Sequence, residues 1–325
     1  MGDFIWIPNQ MRSYFITGGT GFLGREIVRQ LLAAEDTAEV VCLTRGKRTD
    51  LLQHPKLSFH IADITSGNLP DRKFTDLIHG ANEANDMMQP DQYEYYHTIV
   101  EGTARVLKWA EQQNIGWRII LSSGAVSRDT IYGRAKATCE TLARLYPRNT
   151  KIARIYSVLG EEMPLNGQFA AGRFIWQALQ GRIEYYGGQS KRTYLHVSDC
   201  AAWILRILIQ GMPLLPYDVA GDAQITIEEL AFKIANEFGC KVSKVGGPDR
   251  IDSYLPNVTE SYQLGCRQTI SIEESLRRIR RIHANYANLR HSNTQQATGI
   301  AHGDSVDSLA DSAKYHGYEV QHHRV

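Results

Sequence analysis

Three evenly spaced glycines near the start of the chain restrict its fold more than any other feature. The stretch YFITGGTGFLGREIVRQLL, residues 14–32, carries Gly18, Gly21 and Gly24 between an apolar run and an amphipathic run. The apolar run predicts a strand and the amphipathic run predicts a helix. Glycines at such a junction permit a tight turn, let a ligand approach the backbone and let the helix pack close to the sheet. The junction therefore predicts the first strand and helix of a parallel α/β sheet.

Predicted strands and helices alternate up to about residue 160, and predicted helices continue beyond it. Apolar, β-branched runs predict strands at residues 14–17, 39–44, 57–63, 76–81, 117–123 and 151–160. Helical periodicity predicts helices at residues 22–33, 96–113, 130–146, 169–181, 197–211, 226–239 and 271–285. Such alternation is typical of a parallel sheet covered by helices on both faces. The predicted fold class is α/β, a Rossmann-type doubly wound parallel sheet with a smaller C-terminal lobe.

The bulk composition argues against several kinds of partner. The 325 residues carry a net charge of +1, with 43% apolar and 22% charged residues. A nearly neutral chain has no broad electrostatic attraction to nucleic acid or to a membrane surface. The first residues lack the basic-then-apolar order of a signal peptide, and the five cysteines include no C-x-x-C pair. We therefore expect a cytoplasmic protein with reduced thiols and with no nucleic acid or membrane partner.

The start of the first predicted helix suits an anionic ligand. Unpaired N–H groups and the positive end of the helix dipole meet at this position. In a strand–turn–helix context, the pattern predicts that the pyrophosphate of a dinucleotide binds to Gly18, Gly21, Phe22, Leu23 and Gly24. A tight turn without any ligand is the alternative interpretation.

The end of the second predicted strand indicates which dinucleotide binds. An acid in this region would accept the ribose 2′-OH of NAD, but the sequence here reads LTRGKR, with Arg45, Lys47 and Arg48. Guanidinium groups can hold a 2′-phosphate that a carboxylate would repel. The sequence therefore favours NADP(H) over NAD(H), with a solvated basic loop as the alternative. Asp63 and Ile64, after the third strand, are predicted at the adenine from their position alone.

A tyrosine and a lysine four residues apart form a candidate acid–base pair. Tyr132 and Lys136 in YGRAK share one face of a predicted helix. A nearby ammonium lowers the pKa of a phenol, which is about 10 when unperturbed. Such a pair can move a proton to or from a carbinol oxygen, and Ser123, at the end of the preceding strand, would donate a hydrogen bond to the same oxygen. The spacing alone is a common accident, so the hypothesis depends on its combination with the glycine turn.

These segments together resemble the extended short-chain dehydrogenase/reductase family, in its nucleotide-sugar branch. The resemblance covers roughly residues 12 to 285 and rests, in order, on TGGTGFLG, LIHGA, EGTARVLKWA, LSSGAVS, YGRAK, RIYSVLG and KRTYLHVSD. It implies that Ser123, Tyr132 and Lys136 are the catalytic trio. Tyr132 would then be the proton donor or acceptor, and Lys136 would also bind the nicotinamide ribose.

The resemblance also implies two substrate-binding residues. The arginine in the family's counterpart of KRTYLHVSD holds the pyrophosphate of a sugar nucleotide, which implies that role for Arg192. A guanidinium fork suits two phosphate oxygens, and a surface arginine without a ligand is the alternative. Many relatives carry asparagine where Ser157 stands, so a serine would make a contact of shorter reach.

Departures from the family pattern narrow the reaction. The 4,6-dehydratases carry Asp-Glu directly after the catalytic serine or threonine, and reductases that first epimerise carry a cysteine; Gly124 and Ala125 stand here. With the basic loop after the second strand, which favours an exchangeable NADP(H), these departures leave a one-step carbonyl reduction. The resemblance implies the 4-keto substrate, so we predict an NADPH-dependent reductase of a nucleotide-linked 4-keto-6-deoxyhexose, in deoxysugar nucleotide biosynthesis. An NAD-dependent nucleotide-sugar 4-epimerase and a non-catalytic NADP(H)-binding sensor or scaffold stay open, with reduction of a non-sugar ketone as a weaker alternative. The interval between Ser123 and Tyr132 is only nine residues, which predicts a shortened substrate loop.

The same reasoning divides the chain. Residues 12–160 are predicted to form an NADP(H)-binding Rossmann domain, to which 195–222 return. Residues 161–194 and 223–285 are predicted to form the substrate-binding lobe. The final segment, 286–325, is poor in large aliphatic residues and predicts a weakly ordered tail; its histidines lack regular ligand spacing, so no metal site is expected. Relatives often pair through two helices, which implies a homodimer.

Overall fold

The fold is taken from a computed structural model of the chain. It describes residues 11–46, 53–82, 91–147, 149–165, 169–246 and 251–283. Lys47, Arg48 and the predicted tail at 286–325 lie outside the described residues.

The described chain contains twelve strands and eight helices longer than a single turn. The strands are β1 Arg12–Thr17, β2 Thr37–Thr44, β3 Leu57–Ile61, β4 Asp76–His79, β5 Trp117–Ser123, β6 Thr150–Ile155, β7 Ser157–Leu159, β8 Arg182–Tyr185, β9 Lys191–His196, β10 Pro216–Val219, β11 Gln224–Thr226 and β12 Lys241–Lys244. The helices are α1 Phe22–Ala33, α2 Gln92–Gln112, α3 Ile131–Leu145, α4 Ala170–Leu179, α5 Val197–Gln210, α6 Ile227–Phe238, α7 Thr259–Gln263 and α8 at residues 272–283. None of the helices in these described segments is long and apolar enough to cross a membrane.

The main sheet has seven parallel strands. Their order is β10-β6-β5-β4-β1-β2-β3, so the chain runs outward in one direction from β1 and then in the other direction from β4. This order is that of a doubly wound Rossmann-type sheet, which confirms the predicted fold class. Ligands of such sheets bind at the carboxyl ends of the strands, where the order reverses. The boundary between β1 and β4 is that switch point here.

Helices cover both faces of the main sheet because its strands are apolar on both sides. In β1, Tyr14 and Ile16 pack into one core with residues of α1 and α5, whereas Phe15 packs into another core with residues of α2. All three side chains are buried. Alternate side chains of a strand point to opposite faces, so a run without polar residues requires two covering layers.

A further core, separate from the two that flank the main sheet, lies around α4, α6 and α8. It includes Phe174, Ile234 and Leu276, one from each helix, and it also contains Tyr194 of β9. Two small sheets accompany it: β11-β9-β7, in which β9 pairs antiparallel with β11 and parallel with β7, and the parallel pair β12-β8. The division of the chain into a dinucleotide-binding domain and a substrate-binding lobe stays a prediction.

The prediction of a single strand at residues 151–160 is wrong. Strand β6 ends at Ile155 in the main sheet, and β7 begins at Ser157 and pairs with β9 in another sheet. Tyr156 lies between them, where its N–H donates to the carbonyl of Val219 and its hydroxyl donates to the carboxylate of Asp218, at 3.1 and 3.0 Å. An unbroken run of β-forming residues cannot show that two halves pair with different partners.

Candidate active site

The glycine turn is held close to two neighbouring backbones. Gly18 has φ +79°, and a Cβ built there would lie 2.8 Å from the backbone of Gly80. A Cβ on Gly24 would lie 2.0 Å from the carbonyl oxygen of Gly18, so only glycine lets α1 approach the turn this closely. The N–H of Gly21 donates to the same oxygen at 3.1 Å. The structure thus shows the tight turn predicted at Gly18 and the close helix packing predicted at Gly24.

The first turn of α1 is suited to an anion. It begins after Gly21 with no side-chain cap and has no acidic residue in its first turn, which contains Phe22 and Leu23. Unpaired N–H groups at a helix start, together with the helix dipole, favour a phosphate. This part of the structure fits the pyrophosphate of a dinucleotide.

The region predicted to bind the adenosine half consists of two loops. Arg45, directly after β2, is exposed. The Asp63 carboxylate accepts from the hydroxyl and the N–H of Thr65, at 2.5 and 2.8 Å, and these bonds, helped by the positive charge of Arg45, lower the pKa of Asp63. The carbonyl of Ile64 accepts from the Arg105 side chain at 3.1 Å. Asp63 is thus ionised and fixed beside Arg45.

A short connection brings the predicted catalytic residues to one place. Ser123 ends β5, and its Oγ accepts from the N–H of Ala125 at 3.2 Å within a 3-10 turn at Gly124–Ser127. The first turn of α3 packs against this turn, since a Cβ on Gly133 would lie 2.3 Å from the carbonyl oxygen of Ala125. Helix α3 therefore starts beside the turn that follows Ser123, with the partly buried Tyr132 in its first turn.

The ammonium of Lys136 lies behind the Tyr132 ring. Its Nζ is 5.8 Å from the centre of that ring and donates to the carbonyl of Leu121 and to Asn82 Oδ1, at 2.9 and 3.1 Å. Burial lowers the pKa of Lys136, and Cys139 and Glu140 act in the opposite direction. The lysine is thus anchored at the carboxyl end of β5, where a ligand of this sheet would bind.

A buried polar chain that the sequence analysis missed connects the glycine turn to α2. His79, at the end of β4, has Nδ1 2.7 Å from Thr17 Oγ1 and Nε2 2.9 Å from Thr103 Oγ1. Burial and then the charge of Lys136 lower the pKa of His79 to about 3, so its ring is neutral near pH 7. Thr17 Oγ1 also accepts from the N–H groups of Gly80 and Ala81. Polar residues at the ends of adjacent central strands were the signal for this chain of contacts.

The predicted substrate residues lie in the three-stranded sheet β11-β9-β7, called the second sheet below. Ser157 is in β7, opposite Tyr194 of β9, and Arg192 is two residues earlier on β9. The Arg192 guanidinium donates to the carbonyl of Asp252 and lies 3.6 Å from one oxygen of that residue's carboxylate. The structure thus places Ser157 and Arg192 on adjacent strands and pairs Arg192 with an acid.

Comparison with known proteins agrees with this architecture. The sequence profile of the NAD dependent epimerase/dehydratase family matches residues 14–214 of the 325, which is more than half of the chain. The protein belongs to this family. The predicted family is therefore confirmed.

Two curated proteins and one solved structure are similar to this chain. UDP-glucuronic acid decarboxylase 2 of Arabidopsis thaliana is 25% identical over 80% of this chain, which spans just under two thirds, 66%, of that protein. A putative UDP-glucose 4-epimerase of Methanocaldococcus jannaschii is also 25% identical, over 81% of this chain and 96% of its own length. A solved dTDP-glucose 4,6-dehydratase from Streptomyces venezuelae, with NAD bound, superposes with a TM-score of 0.73 at 24% identity over 84% of this chain and 97% of its own.

Proposed function

We propose that this enzyme carries out oxidation or reduction at C4 of a nucleotide-linked hexose, and that its net reaction is reduction of a 4-keto-6-deoxyhexose. The observation that carries the proposal is the buried Lys136 ammonium behind the Tyr132 ring, in the helix that starts beside Ser123. The similar proteins are named for reactions of UDP or dTDP sugars, and these names support a nucleotide sugar as the substrate.

The proposed roles of the three residues follow from their contacts. Tyr132 would protonate the alkoxide formed at C4, as a general acid within reach of that oxygen. Ser123 uses Oγ as an acceptor towards Ala125, so its O–H is the donor that would bind the same oxygen. Lys136 uses two of its three N–H groups on Leu121 and Asn82, which leaves the third for a ribose hydroxyl.

The residue after Ser123 supports reduction over dehydration. A Cβ on Gly124 would lie 2.4 Å from the ring of Tyr156, so the structure has no room for a carboxylate side chain at this position. Ala125, which follows, is buried and carries no acid or base. The acid pair that the resemblance assigns to dehydratases is therefore absent in sequence, and its first position is sterically closed.

A nicotinamide dinucleotide would supply the hydride acceptor or donor when bound. Gly18, Gly21 and the first turn of α1 would hold its pyrophosphate, and Lys136 would hold its ribose. The preference for NADP(H) stays a prediction that rests on Arg45, Lys47 and Arg48 in place of an acid, whereas the NAD bound by the solved dehydratase favours NAD(H). Whether the dinucleotide is exchanged or retained at each turnover therefore distinguishes two kinds of reaction.

A 4-epimerase is the second candidate, because the archaeal relative with that name matches over nearly its full length. An epimerase returns the hydride to the sugar, so it would retain NAD through purification and would not consume added NADPH. A reductase would exchange its cofactor at each turnover.

The deciding experiment is a panel of nucleotide-linked 4-keto-6-deoxyhexoses mixed with the enzyme and either NADPH or NADH. Loss of reduced-nicotinamide absorbance that depends on the sugar is expected for the reductase. Tightly retained NAD, found by mass spectrometry of the denatured protein, together with no consumption of either reduced cofactor, would replace the proposal with the epimerase.

A further inference from the structure

Two arginines share one carboxylate beside the candidate active site. Arg128, in the connection between Ser123 and Tyr132, donates to the same Asp252 oxygen that lies 3.6 Å from the Arg192 guanidinium. Both guanidinium groups also lie over the ring of Tyr254, with Cζ 5.2 Å from its centre for Arg128 and 4.6 Å for Arg192. Two cations and one anion leave the cluster with a net positive charge.

The cluster is continuous with the catalytic turn. The Tyr254 ring stacks on Tyr156 with the ring centres 5.5 Å apart, and the Tyr156 ring fills the space beside Gly124. Gly124 directly follows Ser123. The two arginines therefore approach the site from two sides: Arg128 comes from the catalytic connection, and Arg192 comes from the second sheet.

The Asp252 carboxylate lies on a fixed backbone but is accessible to solvent. The N–H of Asp252 donates to Ser190 Oγ, and the N–H of Lys191 donates to Ser253 Oγ, both at 2.9 Å. Its side chain is 44% exposed, compared with 16% for Arg192. The carboxylate can therefore rotate away from the arginines without movement of its backbone.

We propose that Arg128 and Arg192 together bind the diphosphate of the nucleotide sugar, and that the Asp252 carboxylate occupies this anion site until the substrate displaces it. The inference rests on the proposed function for its substrate class. The new elements are Arg128 as the second cation and Asp252 as a resident competitor. A diphosphate carries more negative charge and more acceptor oxygens than one carboxylate, so it can satisfy both guanidinium forks at once.

The test is calorimetric titration of the full-length protein with UDP, dTDP, inorganic pyrophosphate and uridine. Asp252→Asn should tighten diphosphate binding about tenfold, because the competing charge is lost, and Arg128→Gln should weaken it about tenfold. Uridine binding should not change. When Asp252→Asn is combined with Arg128→Gln, it should increase diphosphate affinity by less than it does alone, because Arg128 is one of the two cations that Asp252 pairs with. Arg128→Lys, which keeps the charge without the fork, should weaken binding by less than Arg128→Gln.

The control is an ion pair in the same connection. Asp129 pairs with Arg134 at 2.5 Å, and their side chains are 82% and 62% exposed, so Asp129→Asn should leave diphosphate affinity unchanged. An Asp252→Asn protein that melts like the wild type but binds UDP and pyrophosphate no more tightly would overturn the proposal. An equal gain in the single and double variants would overturn the part assigned to Arg128.

The result separates this inference from the proposed reaction. If no nucleotide sugar is turned over and Asp252→Asn still tightens UDP and pyrophosphate, the anion site stands and the reaction is wrong. If a 4-keto sugar is reduced and Asp252→Asn lowers neither its KM nor the Kd for UDP, the reaction stands and the anion site is wrong.

Discussion

At the scale of single residues, the candidate site is controlled by which groups carry charge. His79 is held neutral by burial and by Lys136, so it links two threonines without adding a second cation. The buried ammonium of Lys136 lies 5.8 Å from the centre of the Tyr132 ring, and the resemblance makes both residues catalytic.

Tyr132→Phe is expected to lower kcat by about 10²–10⁴-fold, because it removes the proposed acid without changing the packing of the ring. The Kd for the dinucleotide should stay within about twofold, since the glycine turn and Lys136 are intact. Tyr93→Phe, on the 73% exposed ring of Tyr93 in α2, is the matched control and should be silent in both measurements. A Tyr132→Phe protein with wild-type turnover would show that the mechanism is wrong.

Arg45→Ala is expected to raise the KM for NADPH more than the KM for NADH, because the side chain after β2 would bind a 2′-phosphate that only NADPH carries. Loss of a charge-assisted contact of this kind corresponds to about tenfold in affinity. Lys108→Ala, on the exposed face of α2, controls for a general change in charge. Equal changes for the two cofactors would count against the preference for NADP(H).

At the scale of elements, the same three glycines have different physical tasks. A Cβ on Gly24 meets backbone atoms at 2.0 Å, whereas a Cβ on Gly21 would lie 3.3 Å from the nearest one, the carbonyl oxygen of Gly18. Gly21 also has φ −78°, which any residue adopts. Gly24 thus serves the packing of α1, and we propose that Gly21 instead lets a ligand approach the start of the helix.

Gly24→Ala should therefore destabilise the fold by about 1–3 kcal/mol, as an overpacked contact does. Gly21→Ala should melt close to the wild type and should instead weaken dinucleotide binding. Thermal unfolding and calorimetric titration of both variants measure the two effects separately. Equal losses of stability in the two variants would contradict this division of tasks.

At the scale of the whole molecule, a buried lysine makes the free energy of unfolding depend on pH. Lys151 at the start of β6 is fully buried, lies with Nζ 4.4 Å from the Trp117 ring and donates to the carbonyl of Asn149. Burial lowers its pKa from 10.5 to about 7, while the carboxylate of Asp76 acts in the opposite direction and Arg12 lowers the pKa further. The unfolded lysine keeps its proton up to its ordinary pKa, so the unfolded chain binds more protons than the folded chain between pH 7 and 10.5.

The free energy of unfolding should therefore rise with pH in this window, by at most about 1.4 kcal/mol per pH unit from this one group. Lys151→Met should remove this rise, because it leaves no proton to release. Urea unfolding of both proteins at several values between about pH 7.5 and 9.5 measures the difference in slope. Lys241→Met, an exposed lysine in β12, should keep the slope of the wild type. Parallel curves for the wild type and Lys151→Met would show that Lys151 keeps its proton in the fold.

Much of the architecture followed from local pattern. The alternation of apolar runs and helical periods predicted the parallel sheet, and the glycine spacing predicted the turn at its switch point. The sequence also predicted that Tyr132 and Lys136 share one face of a helix, because the helical repeat places residues four apart on the same side. These features depend on neighbours within a few residues, so the sequence by itself determined them.

Other features were decided only by the tertiary structure. The break at Tyr156 exists because β7 pairs with β9 instead of continuing in the main sheet. The joining of His79 to Thr103, and of Arg128 and Arg192 to Asp252, brings together residues from distant parts of the chain. Local propensity carries no information about such partners, because the pairing depends on how the sheets and helices pack around one another. The sequence therefore determined the sheet and the candidate acid–base pair, and the packing of distant segments decided the charges that surround them.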